Sequence, residues 1–200
     1  MSVLPSARAL CGAFATLAVT GAIALGAAPA ADHVEGIARV AGKPQKDVVV
    51  WLDGSHGAAL QSPGRVVLDQ RNLTFLPHVL AVRVGTRVEM PNNDRVFHNV
   101  FSFKDGKRFD LGLYPVGTTK MVEFDKPGLS RIFCNIHPTM AAYVIAVDST
   151  RFAISGTDGR FVLNGVPPGR YQYHAWRPGT DAMSGSVMIA PGQPIEVGWP

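Results

Sequence analysis

The chain has 200 residues, of which 46% are hydrophobic and 17% are charged, and its formal net charge is +4. This composition excludes a disordered chain, and the two cysteines are too few for a disulfide-stabilised scaffold. The basic residues form no runs, whereas binding to nucleic acid usually needs a clustered basic face. The 21 glycines and 15 prolines favour an all-β protein with short strands and many turns.

Residues 1–30 have the pattern of an export signal. Arg8 is the only charged side chain among them, and the uncharged run that follows is mostly Ala, Leu, Val and Gly. The segment closes on Ala28-Pro29-Ala30, which has the small-x-small form of a signal-peptidase site. We therefore expect a signal helix that is removed, leaving a periplasmic protein with no membrane segment. The alternative is an uncleaved anchor, since the uncharged run is just long enough to span a bilayer.

Cleavage of the signal would leave only one of the two cysteines in the mature chain. Cys11 and Arg8 leave with the signal, so the mature chain would have 170 residues, a net charge of +3 and the single cysteine Cys134. A lone thiol in an oxidising compartment is either buried and inert or bound to something. Cleavage after Ala30 would also make His33 the third residue, where it could bind Cu(II) together with the free amino terminus.

Strand patterns separated by turns fill the middle of the mature chain. Apolar and polar side chains alternate over residues 80–84 and 86–90, as they do in half-buried strands. Further strands are predicted between turns rich in Gly, Pro, Asn and Asp, at residues 96–103, 120–124, 129–133 and 140–147. The glycines and the proline within residues 110–118 predict a loop there. No helix is predicted in the mature chain.

Two further regions flank this central part. Residues 34–52 predict two strands joined by a turn, and residues 159–176 predict two more. The sequences Asp158-Gly159-Arg160-Phe161 and Val166-Pro167-Pro168-Gly169-Arg170-Tyr171 resemble those of carboxypeptidase-regulatory-like (transthyretin-like) β-sandwiches. We expect residues 33–60 to supply the first strands of such a small sandwich and residues 151–200 the remainder. A domain of residues 65–148 would then be inserted between them, and residues 34–52 would pair with residues 160–176.

The residues with metal-binding chemistry are concentrated in one stretch, Phe133-Cys134-Asn135-Ile136-His137-Pro138-Thr139-Met140. It offers a thiol, an imidazole and a thioether at positions i, i+3 and i+6, and His98 lies 36 residues before the cysteine. Two histidines and one cysteine with a weak axial methionine form the ligand set of a blue-copper site. Soft sulfur favours Cu(I), whereas imidazole suits both oxidation states. A zinc site would more often collect additional cysteines or histidines.

Each of these four residues alone has an ordinary structural explanation. Cys134 can be a small buried hydrophobe, His98 a hydrogen-bonded core histidine and Met140 a packing residue. Their occurrence together in one exported chain favours the metal site, with a single copper ion. His78 is expected to be structural, with an extra ligand as the alternative, and His174 is expected to face solvent.

The spacing Cys134-x2-His137-x2-Met140 resembles that of the cupredoxins, the type 1 blue-copper family, and is similar to that of the amicyanins. The interval from His to Met is shorter than in plastocyanins. The resemblance covers residues 66–148 and implies a Greek-key β-sandwich with His98, Cys134, His137 and Met140 as ligands. It also implies that the Asn99 N–H donates to the cysteine sulfur and that the Asn99 side chain links the two ligand strands. The edge of His137 would meet an apolar patch through which electrons are exchanged.

The function expected from these observations is transport of single electrons in the periplasm, without enzymatic activity. The partner would be a transiently docked redox protein, such as a cytochrome c or a periplasmic dehydrogenase. The alternative is copper storage or delivery, although such proteins expose clustered methionines and the six methionines here are scattered. A nucleophilic Cys134–His137 pair would need an orienting acid, and a copper oxidase or reductase would need a second histidine cluster.

Overall fold

The computed structural model describes Met1 and residues 33–54, 65–103 and 105–200. Within these ranges the chain contains strands, turns and loops but no helix, which confirms the prediction of an all-β protein. The described part accordingly has no helix long and apolar enough to cross a membrane. The predicted signal segment lies outside the described residues apart from Met1.

Eighteen strands occur in the described ranges. In chain order they are β1 (His33–Val40), β2 (Lys43–Pro44), β3 (Val49–Leu52), β4 (Val66–Val67), β5 (Asp69–Arg71), β6 (Thr74–Leu76), β7 (Val79–Arg83), β8 (Thr86–Pro91), β9 (His98–Ser102), β10 (Phe109–Tyr114), β11 (Thr119–Phe124), β12 (Gly128–Phe133), β13 (Ala141–Val147), β14 (Phe152–Ile154), β15 (Arg160–Asn164), β16 (Gly169–Trp176), β17 (Met183–Ile189) and β18 (Ile195–Trp199).

The strands near the two ends of the described chain form the small sandwich. One sheet has the order β15-β1-β18 with β2 paired to β1, and the facing sheet has the order β14-β3-β16-β17. Strand β1 is antiparallel to β15 and parallel to β18, while β3 is antiparallel to β16. A core of buried apolar side chains fills the space between the sheets, and Val50, Leu52, Leu163 and Ile189 are among its members.

A close contact between strands fixes the register of β1 against β15. Gly36 lies opposite Phe161, and the phenyl ring packs over the glycine. A Cβ atom at residue 36 would lie 2.2 Å from the ring, so a larger residue cannot occupy this position without moving the ring.

The central domain is inserted into this small sandwich. Residues 33–37 pair with 160–164, and residues 49–52 pair with 173–176, which is the pairing that the insertion requires. The chain leaves the small sandwich after β3 and returns to it at β14. Residues 55–60 of the predicted first segment lie outside the described residues.

The central domain is a second two-layer sandwich. Its larger sheet has the order β10-β9-β12-β13-β7 and its smaller sheet the order β11-β8-β4, with the β5–β6 hairpin beside them. Buried apolar side chains of both sheets form its core, including Val88, Val100, Phe124 and Ile132. A third apolar cluster joins the two sandwiches, with Val49 and Trp176 on one side and Val79, Ile145 and Val147 on the other.

The loop predicted over residues 110–118 is wrong in its first half. Strand β10 runs to Tyr114 and pairs with β9. The register shifts between Asp110 and Leu113, and Gly112 between them has a φ of +64°. A β-bulge of this kind interrupts the alternation of apolar and polar side chains, so the strand has no simple pattern in the sequence.

Candidate metal centre

Three strand ends of the larger central sheet bring the candidate ligands together. Strand β9 begins at His98, β12 ends directly before Cys134, and β13 begins directly after Met140. Strands β9 and β12 are antiparallel, with Phe101 opposite Phe133. In this register the start of β9 lies beside the loop that follows β12, which brings His98 close to Cys134.

The loop between β12 and β13 is closed by its own backbone. The Cys134 N–H donates to the Met140 carbonyl at 3.3 Å, and the Met140 N–H donates to the His137 carbonyl at 2.9 Å. Both bonds lie inside the eight-residue stretch that the sequence singled out. They hold the cysteine, the second histidine and the methionine in a fixed relation to each other.

The two imidazoles and the thiol form a compact triangle. His98 Nδ1 lies 3.0 Å from His137 Nδ1, and Cys134 Sγ lies 3.9 and 3.7 Å from these two nitrogens. These three side chains are the group of ligand atoms in the described residues that could hold a metal ion. The point equidistant from the three atoms lies about 2.1 Å from each, which matches metal–nitrogen bonds of about 2.0–2.1 Å and is slightly shorter than metal–sulfur bonds of about 2.3 Å. The donor set therefore fits one copper ion.

Burial differs among the candidate ligands. His98 is 0% exposed, Cys134 4% and Met140 1%, whereas His137 is only partly buried. Met140 and Cys134 belong to the same core cluster. The Met140 side chain is thus a buried core residue, and its role as a fourth ligand stays a prediction.

Asp94 orients the first histidine, a role that was not predicted from the sequence. Its Oδ2 atom lies 3.0 Å from His98 Nε2 and accepts a hydrogen bond from the Leu73 N–H at 2.7 Å. The Leu73 N–H, followed by the Arg95 N–H and His98, lowers the pKa of Asp94 to about 2. The carboxylate thus stays charged and fixes the His98 ring with Nδ1 toward the cysteine. In the sequence, the position of this carboxylate four residues before a candidate ligand histidine is the pattern from which the contact could have been predicted.

The Asn99 side chain is hydrogen-bonded to the neighbouring strand β10. Its Nδ2 donates to Asp110 Oδ1 at 2.8 Å, and the same oxygen accepts from the Gly112 N–H. These bonds tie β9 to the bulge of β10, and they lower the pKa of Asp110. Among the described residues no hydrogen bond joins the Asn99 N–H to the cysteine sulfur, and Asn99 Oδ1 is buried without a partner. The link from the Asn99 side chain to the cysteine strand stays a prediction from the family resemblance.

A buried polar network supports the centre from the neighbouring strand. Tyr114 lies opposite His98 in the pairing of β10 with β9. Its hydroxyl donates to the Met90 carbonyl at 2.9 Å and accepts from Gln70 Nε2 at 2.5 Å. Burial raises the pKa of Tyr114 to about 12, so the phenol is neutral. Asn92 Nδ2 donates to the carbonyls of Tyr114 and Val96 and so fixes the turn before His98.

The other described histidines lie away from the triangle. His78 is 3.7 Å from Asp47 and packs edge-on against Tyr143, so it occupies the structural position expected. His33 begins β1 in the small sandwich. His174 does not simply face solvent, because its ring stacks on Trp51 at 5.1 Å and its Nε2 lies 2.8 Å from Asp53.

Comparison with known proteins gives structural similarities only. No protein-family model matches the chain, and no curated protein matches it. The similar solved structures include a purple cupredoxin from Nitrosopumilus maritimus, which is 23% identical with a TM-score of 0.38. That match covers 41% of this chain and 99% of the cupredoxin.

Two further solved structures are similar over about half of the chain. Amicyanin from Paracoccus versutus is 24% identical, with a TM-score of 0.39 and coverage of 52% of this chain and 100% of amicyanin. A copper-containing nitrite reductase from Thermus scotoductus SA-01 is 25% identical, with a TM-score of 0.41 and coverage of 48% of this chain. The match spans only 25% of the reductase. These proteins are cupredoxins or contain copper, but a functional assignment depends on the side chains of this chain.

Proposed function

We propose that the central domain is a type 1 copper protein of the cupredoxin class that carries single electrons in the periplasm. The observation that carries the proposal is the triangle of His98 Nδ1, His137 Nδ1 and Cys134 Sγ, with sides of 3.0 to 3.9 Å. Copper bound by these atoms supplies one-electron exchange between Cu(I) and Cu(II). Met140 is the proposed weak fourth ligand.

The framework around the triangle suits rapid electron exchange. Cys134 follows one strand, His98 begins its neighbour, and Asp94 fixes the His98 ring through a hydrogen bond. Because these positions are set by backbone pairing and buried contacts, the ligands need to move little when the charge of the site changes. The burial of His98 and Cys134 also keeps water from the sulfur.

Exposed apolar side chains beside the ligands favour a protein partner. Phe97 directly precedes His98 and is 56% exposed, and Ile136 directly precedes the partly buried His137 and is 44% exposed. A small apolar surface near a redox centre is suited to brief encounters that bury little area. We propose a transient redox partner of the cytochrome c or periplasmic dehydrogenase class.

Copper titration of the purified mature protein tests the proposal. We expect one equivalent of Cu(II) to give an intense thiolate-to-copper absorption band and a narrow copper hyperfine splitting in the electron paramagnetic resonance spectrum. The substitution Cys134→Ser should remove the band completely, because no other thiol is present in the chain after Cys11. His137→Ala should also lose it, while the matched control His78→Ala should keep it.

A pale copper complex that persists in Cys134→Ser would contradict the proposal and favour the alternative of copper storage. The blue protein should also exchange electrons with a soluble cytochrome c, followed by stopped-flow absorption. Slow loss of copper without a change of its oxidation state would contradict the carrier role.

Met140→Leu tests the fourth ligand. We expect the variant to retain copper and to show a higher reduction potential, because removal of a thioether donor disfavours Cu(II). Cyclic voltammetry measures the change, with Met121→Leu, which alters an exposed strand residue, as the control. An unchanged potential would mean that Met140 only packs in the core.

A further inference from the structure

A cavity of about 400 Å³ lies between the two sandwiches, apart from the metal centre. The small sandwich lines it with Trp51, Asp53, His174 and Trp176, and the central domain with residues from Pro127 to Leu129 and from Ile145 to Asp148. Strand β12 begins in this lining and ends next to Cys134. At about 3.3 Å per residue its length separates the cavity from the metal ligands by about 17 Å.

The walls of the cavity are mostly apolar. Leu129, Ile145 and Val147 form the side contributed by the central domain, and two tryptophan rings form the opposite side. The ring of Trp51 is held in place because His174 stacks on it at 5.1 Å with an angle of 15° between the planes. Volume, apolar walls and a position between domains are all typical of sites for small molecules.

The charged groups of the lining are of one sign. Asp53 and Asp148 both line the cavity, and no Lys or Arg is among the described residues that do so. Asp53 already has a partner, since its Oδ1 lies 2.8 Å from His174 Nε2. Asp148, by contrast, forms no ion pair with any described residue. The cavity therefore offers aromatic side chains and, at Asp148, an exposed carboxylate without an ion pair among the described residues.

We propose that this cavity binds a small organic cation. The apolar groups of the ligand would lie against the partly buried Trp51 ring and the aliphatic wall, and its positive charge would lie toward Asp148. Aromatic faces attract cations through the ring quadrupole, and quaternary ammonium groups suit such sites because they are both charged and apolar. An anion of the same size would meet two carboxylates and be repelled.

Choline and its neutral isostere 3,3-dimethylbutan-1-ol test this proposal, because the two molecules differ in charge and hardly in shape. Binding to the full mature protein is measured by isothermal titration calorimetry and by tryptophan fluorescence. Trp51 and Trp176 line the cavity, whereas the third tryptophan, Trp199, lies in β18. We expect choline to bind at least about tenfold more tightly than the isostere.

Two carboxylate variants assign the effect to the cavity. Asp148→Asn should weaken choline binding by about tenfold while binding of the isostere stays the same. The matched control Asp158→Asn changes an exposed carboxylate in the turn before β15 and should bind choline as the wild type does. Equal binding of the two ligands, unchanged binding in Asp148→Asn or no binding of choline would each overturn the proposal. The copper spectrum takes no part in these measurements, so the outcome is independent of the electron-transfer proposal.

Discussion

The two sandwiches of this chain have the same architecture but differ in what they bury. Each has two sheets around an apolar core. The central domain also buries a group of polar side chains, namely Gln70, Thr86, Asn92, His98, Asn99, Ser102 and Ser130. The small sandwich and the segment that joins it to β13 bury only Ser149 and Ser155 among the described polar residues. Burial of a polar group lowers the stability of the fold unless the group is hydrogen-bonded. The concentration of such groups in the central domain therefore indicates that this domain holds the functional site.

The hydrogen bonds of these polar residues show what they do. Asn92 fixes the turn before His98, Asn99 fixes the bulge beside it, and Gln70 contacts Tyr114 on the next strand. The small sandwich lacks a comparable network among its described residues and is held by apolar packing. We infer that changes in the central core reach the metal centre, whereas changes in the small core alter stability alone.

Truncation of one core residue in each sandwich gives the largest expected difference. Ile132→Ala and Leu163→Ala each remove a fully buried side chain and should each cost about 2–5 kcal/mol of the free energy of unfolding. Ile132 lies two residues before Cys134, so its truncation should also lower copper affinity, while Leu163→Ala should leave affinity unchanged. Chemical denaturation and copper titration measure the two quantities. Equal loss of copper affinity in both variants would show that the sandwiches are not separate in function.

Removal of one hydroxyl from each sandwich gives a smaller difference. Tyr114→Phe removes a buried hydroxyl that donates to the Met90 carbonyl and accepts from Gln70 Nε2, and it should cost about 1–3 kcal/mol although Gln70 keeps its bond to the Pro91 carbonyl. Tyr171→Phe removes a hydroxyl that donates to the Pro167 carbonyl at an exposed position, so it should cost well under about 1 kcal/mol. Urea denaturation of both variants checks the comparison. A similar cost for the two would mean that the buried network adds nothing to stability.

The smallest expected effect concerns pH. Hydrogen bonds from the Gly112 N–H and the Asn99 amide lower the pKa of Asp110 below its ordinary value of 3.8. The carboxylate therefore stabilises the fold fully above that ordinary value, and the contribution is lost as the pH falls through the lower pKa of the folded state. Asp110→Asn should narrow the difference in unfolding free energy between pH 7 and pH 3, whereas Glu35→Gln, which changes an exposed carboxylate in β1, should not. The same pH dependence in wild type and Asp110→Asn would refute this role.

The sequence was informative where a pattern is short and local. The alternation over residues 80–90 predicted two strands that the structure contains. Of the four predicted ligands, the structure brings the ligand atoms of His98, Cys134 and His137 together. The pairing of both ends of the chain also agrees with the predicted insertion. The strand alternation and the ligand spacing depend on neighbouring residues, so they can be recognised without knowledge of long-range contacts.

What the sequence did not predict depends on distant partners. Asp94 matters because the Leu73 N–H and the His98 ring meet its carboxylate, and Tyr114 matters because Gln70 reaches it across 44 positions of the chain. The bulge at Gly112 interrupts the alternating pattern of β10, so this strand was not predicted. The stacking of His174 on Trp51 joins residues of two separate strands. No local pattern reports contacts of this kind.

The parallel pairing of β1 with β18 bears on how the protein is made. Gly36 pairs with Ile195, so a strand near the start of the described chain completes its pairing only after a strand near its end has been synthesised. The central domain, whose strands are contiguous in the chain, has all of its partners well before that point. During synthesis we therefore expect the central domain to fold first, while β1 and β3 lack their partners in the small sandwich and stay exposed to aggregation and proteases until β14 and the strands after it emerge.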